Sequence, residues 1–107
     1  MTIKLKSYRY AVVAALLASS FSLAFAQNAD QARSWAASCS NCHGTNGVSS
    51  PGRETLAGMP EEMMIKKMQD FKAGRVPAAT IMHQLAKGYD DAQIAAIAKY
   101  FAKQASQ

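Results

Sequence analysis

Two thiols and an imidazole stand within five consecutive residues of this chain, Cys39-Ser40-Asn41-Cys42-His43. A Cys-x-x-Cys-His run is the attachment signature of a c-type haem. Each residue has a chemical task. The thiols of Cys39 and Cys42 add across the two vinyl groups of the porphyrin, and the two-residue spacer sets the sulfurs at the separation this needs. The imidazole of His43, held by that double tether, becomes the proximal ligand of the iron. Two other chemistries use paired cysteines. A redox pair of the thioredoxin type belongs at the first turn of a βαβ unit, and the chain has no convincing strand pattern. A structural zinc site needs four ligands, and outside the motif only His83 remains as a further histidine or cysteine. One covalent haem c is therefore the expected cofactor.

The elements that must position this motif read as short helices joined by loops. Asp30 is the expected N-cap of a first helix through Ser38, which carries Trp35 and runs into the cysteines. From Gly44 to Gly58 the turn formers Gly44, Asn46, Gly47, Ser49, Ser50, Pro51, Gly52 and Gly58 mark a loop. Pro60 suits the first position of a helix whose positive end carries Glu61 and Glu62, with Gly74 as its stop. Met64, Met68 and Phe71 recur at helical spacing and form its expected buried stripe. Another helical stretch is expected from Pro77 to a C′ glycine at Gly88. Asp90 with Gln93 three residues on predicts a capping box for a last helix, with Ile94, Ile97 and Phe101 on one face. The class is all-α.

The address is read from the first residues. Lys4, Lys6 and Arg9 precede an apolar stretch from Ala11 to Ala18, and Ala24-Phe25-Ala26 is a small-x-small cleavage site. Together they predict a secretory signal peptide over 1–26 and a periplasmic protein over 27–107. Even taken from Ala11 to Ala26, the apolar stretch is 16 residues, short of the ~20 a membrane-spanning helix needs. No membrane association is expected after cleavage. Removing three of the twelve basic residues lowers the net charge from +5 to +2, so the basic pI of the whole chain is no argument for nucleic acid. What remains is one small domain with a thin core, of the size that usually needs a staple. A covalent haem supplies one, and the haem-free chain is expected to fold poorly.

The order helix, Cys-x-x-Cys-His-Gly, Gly-rich loop, Leu56-Ala57-Gly58, helix, Met, helix resembles class I cytochrome c over essentially the whole of 27–107. That resemblance implies N- and C-terminal helices packed near right angles, bringing Trp35 against Ile97, Tyr100 and Phe101. A four-helix bundle of the cytochrome c′ type carries its haem motif near the C-terminus instead. Within class I, Leu56-Ala57-Gly58 and Ile81-Met82-His83-Gln84-Leu85-Ala86-Lys87-Gly88-Tyr89 are similar to the haem subunit of flavocytochrome c sulfide dehydrogenase and to related small monohaem cytochromes of sulfur-compound oxidation.

The sixth ligand decides what such a haem does. His/Met ligation closes the iron and raises its potential for electron transfer, whereas an open site admits small molecules. Five methionines follow the signal, Met59, Met63, Met64, Met68 and Met82. Met64 and Met68 read as core filler, and Met59 and Met63 as neighbours of the haem edge. The resemblance implies Met82 as the ligand, because the family's axial Met falls just before the last helix. His83 directly follows it. Neighbouring side chains on a helix point about 100° apart, so one of the two can face the iron, and His83 is expected to face solvent. One departure from the family stands out. Its members usually have Pro two residues before the Leu matched here by Leu56, and that proline's carbonyl orients the proximal imidazole. Here Glu54 holds the position and Pro51 lies three residues earlier, so either carbonyl is available to His43.

These readings make the chain an electron carrier and not itself an enzyme. It has no phosphate loop, no paired carboxylates in an evident cleft and no nucleophile–base spacing. The expected partner is a redox protein, first a flavoprotein sulfide dehydrogenase that passes electrons to this haem subunit. The alternatives are a free monohaem shuttle to a terminal oxidase or reaction centre, and a haem sensor or minor peroxidase with an open sixth site. Lys66, Lys67, Lys72, Arg75 and Lys87 are candidates for steering an acidic partner, or else ordinary solvated helix faces.

Overall fold

Helices joined by loops make up the described residues, 28–105, of a computed structural model of the chain, with no β-strand among them. The all-α expectation holds. Contacts divide the chain into two compact units, Met1–Gln31 and Ala32–Gln107. Of the first unit only 28–31 are described, and they are helical. The signal peptide expected over 1–26 lies outside the described residues.

Helix α1 covers residues 28–37. Asp30 is therefore inside the helix and is not its cap. An interior Asp costs at most about 0.7 kcal/mol relative to Ala, which the flanking residues Ala29, Gln31 and Ala32 carry easily. A turn at Ser38 and Cys39 separates α1 from α2, Ser40–His43. The loop that follows opens with a 3-10 turn over Thr45–Gly47. Helix α3 spans Glu61–Lys72. Pro60 is its N-cap with ψ 135°, one residue before the position expected for it. Glu61 and Glu62 do occupy the first turn. Its C-terminus closes as a Schellman motif around Gly74 at φ +69°. Gly74 N–H donates to Phe71 O at 3.0 Å and Arg75 N–H to Asp70 O at 2.9 Å, satisfying two of the last carbonyls.

The stretch from Pro77 is not helical as expected. Residues 75–81 are turns and bends, and α4 is a single turn, Met82–Leu85, continued by a 3-10 turn over Ala86–Gly88. Pro77 disfavours helical backbone at Val76, and β-branched Thr80 and Ile81 do not restart it. Ile81 sits at φ −136°. Gly88, expected as a left-handed C′ residue, is not among the positive-φ glycines, because the 3-10 turn leads directly into extended backbone at Tyr89. Helix α5, Asp91–Ala102, starts on the predicted capping box. Gln93 N–H donates to Asp90 Oδ1 at 2.7 Å, and Asp90 N–H donates to Gln93 Oε1 at 2.9 Å.

The core gathers Ala36 from α1, Met59 just before α3, Met64 from α3, and Ile97, Ala98 and Phe101 from α5. Trp35, Leu56, Met68 and Tyr100 pack on its edge. Among the described residues, half of the ten buried apolar ones are alanines, so the helices approach closely and few large side chains fill the centre. Phe101 is its heart. Gly47, at φ +81°, lies so close to it that a Cβ there would stand 2.7 Å from Phe101 Cδ1 and 2.9 Å from Ala57 N. Gly58 N–H ties the same loop to Phe101 O at 2.9 Å.

Candidate haem-binding site

Cys39, Cys42 and His43 are brought together by one turn of backbone. Cys39 O accepts hydrogen bonds from Cys42 N–H at 3.2 Å and His43 N–H at 2.9 Å, so α2 winds around the first cysteine. Behind it, Ser38 Oγ donates to Trp35 O at 3.0 Å and pairs with Tyr89 OH at 2.7 Å. The cysteines are both free thiols. Cys42 is exposed, whereas burial pushes the Cys39 thiol above its ordinary value, against smaller lowering effects from Ser38 and its own backbone. Cys39 is thus held as a neutral thiol while Cys42 meets solvent.

The imidazole of His43 is fixed by a single strong contact. Its Nδ1 lies 2.7 Å from the backbone carbonyl of Glu54. A carbonyl can only accept, so Nδ1 carries the proton and Nε2 keeps its lone pair. Such an outer hydrogen bond sets the tautomer and the basicity of a ligating imidazole. The choice left open between Pro51 and Glu54 therefore falls on Glu54.

The loop around Glu54 is pinned on both sides. Ser49 Oγ donates to Arg53 O at 2.7 Å, and Leu56 and Ala57 N–H donate to Gly47 O at 2.8 and 3.1 Å. The Glu54 side chain meets Lys67 of α3, with Nζ 2.8 Å from Oε1. This pair joins residues 13 apart across a loop and a helix start, and nothing in the local sequence signals it. The same holds for Lys72, whose Nζ donates to Tyr89 O at 2.7 Å.

Met82 opens α4 and is half-buried. Among the described residues, Met59, Met64 and Met68 belong to or pack on the core cluster, and Met63 is 50% exposed. Met59 is thus a core residue. Met82 is the half-buried methionine outside that cluster. His83 corrects an expectation, because it does not face solvent. It is half-buried, and its Nδ1 is buried with no hydrogen-bond partner.

These residues fit the group that the Cys-x-x-Cys-His motif implies. Two unpaired thiols precede an imidazole whose tautomer presents Nε2, a thioether is uncommitted to the core, and a buried ring nitrogen lacks a protein partner. Haem iron so held supplies one-electron chemistry between its ferric and ferrous states. No group of three or more His, Cys, Asp or Glu residues forms a separate metal cluster among the described residues.

Four of the five basic residues considered for steering are already paired. Lys66 and Arg75 share Asp70, Lys67 meets Glu54, and Lys72 lies 3.6 Å from Asp91. The hydrogen bond from Lys66, then that from Arg75, holds the Asp70 carboxyl below its usual range. The three carboxylates offset much of that positive field.

The family model for cytochrome c matches residues 29–105. The chain is 39% identical over 70 residues to the "Thiosulfate dehydrogenase electron acceptor" of Thiomonas intermedia (strain K12), covering 64% of this chain and 32% of that protein. It is 41% identical over 64 residues to the "Cytochrome subunit of sulfide dehydrogenase" of Chlorobaculum tepidum, covering 60% and 57%. With cytochrome c4 of Azotobacter vinelandii the identity is 37% over 78 residues, covering 64% and 37%. Each alignment thus spans between about a third and somewhat over half the length of these curated relatives.

Proposed function

The chain belongs to the cytochrome c family, transfers electrons through covalently bound haem c, and from that premise we propose that it is the periplasmic electron acceptor of a dehydrogenase of sulfur compounds. The hydrogen bond from His43 Nδ1 to the Glu54 carbonyl carries the reading of the site. It prepares the imidazole as a ligand through Nε2 and orients the ring. Cys39 and Cys42 supply the tethers. Met82 would supply a second protein ligand to the iron, and a haem held by His43 and Met82 would serve electron transfer rather than substrate binding.

The partner is proposed from chemistry and from the relatives together. With no substrate-binding constellation of its own, the chain needs a separate protein to oxidise the substrate. Two relatives are named for dehydrogenases of thiosulfate and sulfide, which makes a sulfur-compound dehydrogenase, first one bearing flavin, the donor to test. The signal-like segment over 1–26 supports a periplasmic address. Among the described residues no helix is long and apolar enough to cross a membrane.

The test is co-purification of the tagged, haem-loaded protein from its native periplasm, with haem and flavin absorbance read together. Flavin eluting in near-equal amount with haem supports a subunit of a flavoprotein dehydrogenase. Haem eluting alone at monomer size overturns that assignment in favour of a free shuttle. Carbon monoxide binding to the untreated reduced protein would overturn closure by Met82.

A further inference from the structure

Glu54 stands where the resemblance to class I cytochrome c implies a proline, and the difference has a structural consequence. A proline fixes its own φ and so helps to hold its carbonyl in place. Glutamate has no such ring, yet its carbonyl makes the 2.7 Å contact that sets the His43 tautomer. The Glu54 side chain instead reaches α3, where Lys67 Nζ lies 2.8 Å from Oε1. On either side the loop is held through Ser49 to Arg53 O, Gly47 O to Leu56 N–H and Gly58 N–H to Phe101 O, none of them made by Glu54 itself. We propose that Lys67 is a positioning residue for the haem iron: its ion pair with Glu54 does the work of the proline ring, anchoring the carbonyl that holds His43. The inference rests on His43 being the iron ligand.

The size of the effect follows from exposure. Lys67 and Glu54 side chains are 42% and 48% exposed, and a pair this open is worth a factor of about two to five in an equilibrium. That factor bounds what it can transmit to His43. A well-held Nδ1–H···O bond makes the imidazole more basic and favours ferric iron. Breaking the pair lets the carbonyl drift, so the ferric-to-ferrous balance shifts toward ferrous by up to that factor. At 59 mV per tenfold for one electron, this is a rise of about 20–40 mV.

The experiment uses the haem-loaded full chain and three variants: Lys67→Met, Lys67→Glu, and the swap Lys67→Glu with Glu54→Lys. Two quantities are read, the midpoint potential and the solvent-exchange rate of His43 Nδ1–H by NMR. Lys67→Met should raise the potential by the stated amount and speed exchange two- to fivefold, and Lys67→Glu should do more. The swap should restore both. An unchanged potential and exchange rate in Lys67→Met would overturn the proposal. So would failure of the swap to restore them, since the role would then lie in the lysine's packing. The wild-type ferric spectrum separates the premise from the inference. Without hyperfine-shifted His43 ring protons both fall, whereas with shifted protons and a silent Lys67→Met only the positioning role falls.

Discussion

Replacing Gly47 by alanine perturbs two things at once, and the neighbouring glycines allow them to be separated. Gly47 sits at φ +81°, where a side chain is strained, and its Cβ would stand 2.7 and 2.9 Å from two ring carbons of Phe101 and 2.9 Å from Ala57 N. Phe101 is fully buried and cannot swing away. The left-handed backbone costs about 1–2 kcal/mol, and overpacking a filled core costs about 1–3 kcal/mol more. A destabilisation near 3 kcal/mol corresponds to a fall of ~12–24 °C in Tm for a domain of this size. Gly52 has φ +92° and open space around it, and Gly88 has open space and no positive φ. Gly52→Ala should therefore show the strain alone, about 1–2 kcal/mol. Gly88→Ala should be neutral or stabilising by up to about 1 kcal/mol. Guanidinium unfolding of the three haem-loaded variants, followed by far-UV circular dichroism, measures all three. Because Gly47 O accepts from Leu56 and Ala57 N–H, Gly47→Ala should also disturb the loop at Glu54 and move the midpoint potential. Equal losses for Gly47→Ala and Gly52→Ala would refute the contact with Phe101, and a Gly88→Ala loss matching Gly52→Ala would refute the backbone argument.

Met82→Ala should abolish the ferric Met–iron charge-transfer band and admit carbon monoxide to the reduced protein, while His83→Ala leaves the band in place; the reverse pattern would assign the ligand to His83. Asp70, whose carboxyl is lowered by Lys66 and Arg75, adds stability that is present above its unfolded value near 3.8 and is lost as pH falls through its lower folded value. Asp70→Asn should therefore lose stability at neutral pH and show a flatter acid limb in Tm-against-pH scans. Electron-transfer rates with an acidic partner should fall only shallowly with ionic strength, since Asp70, Glu54 and Asp91 offset much of the basic face; a steep fall would mean those pairs open in solution. Haem-free protein made with Cys39→Ala and Cys42→Ala should show much weaker far-UV helical signal than the holoprotein, and a native-like spectrum would refute the haem's role as staple.

Much of the fold was legible because short-range chemistry specifies it. Asp90 and Gln93 satisfy each other across three residues, and Gly74 reverses the chain where α3 runs out of helical residues. Ile94, Ile97 and Phe101 recur at a spacing that no other face of α5 offers, and all three are buried. In the motif, the thiol spacing and the adjacent histidine are themselves the chemistry. The Glu54 carbonyl was one of two legible candidates. What chose it was tertiary, since the loop bonds through Gly47 and Ser49 place residue 54, and not residue 51, against the ring.

The misreadings share a cause. A cap at Asp30, a helix from Pro77 and a solvent-facing His83 all follow from the residue and its near neighbours alone, as though each segment settled its own conformation. At Asp30 the alanine-rich flanks decide, because interior helix propensity outweighs one capping preference. In the segment 77–88 the decision is not local at all. α3 packs on α4 and on the turn that follows it, and Lys72 clamps Tyr89 O from the side. The chain from Val76 to Tyr89 is therefore held at its ends, and its middle is free to take the turns that Pro77 and Ile81 prefer. This arrangement carries Met82 into a short helical turn outside the core cluster and turns His83 Nδ1 inward without a partner. A longer helix from Pro77 would have buried its own apolar stripe in the protein. The broken one leaves Ile81 and Leu85 about half exposed and keeps the thioether of Met82 uncommitted. Failure of the helix is thus what this segment needs if Met82 is to bind the iron, and local propensity, which judges a helix by its own residues, has no term for it.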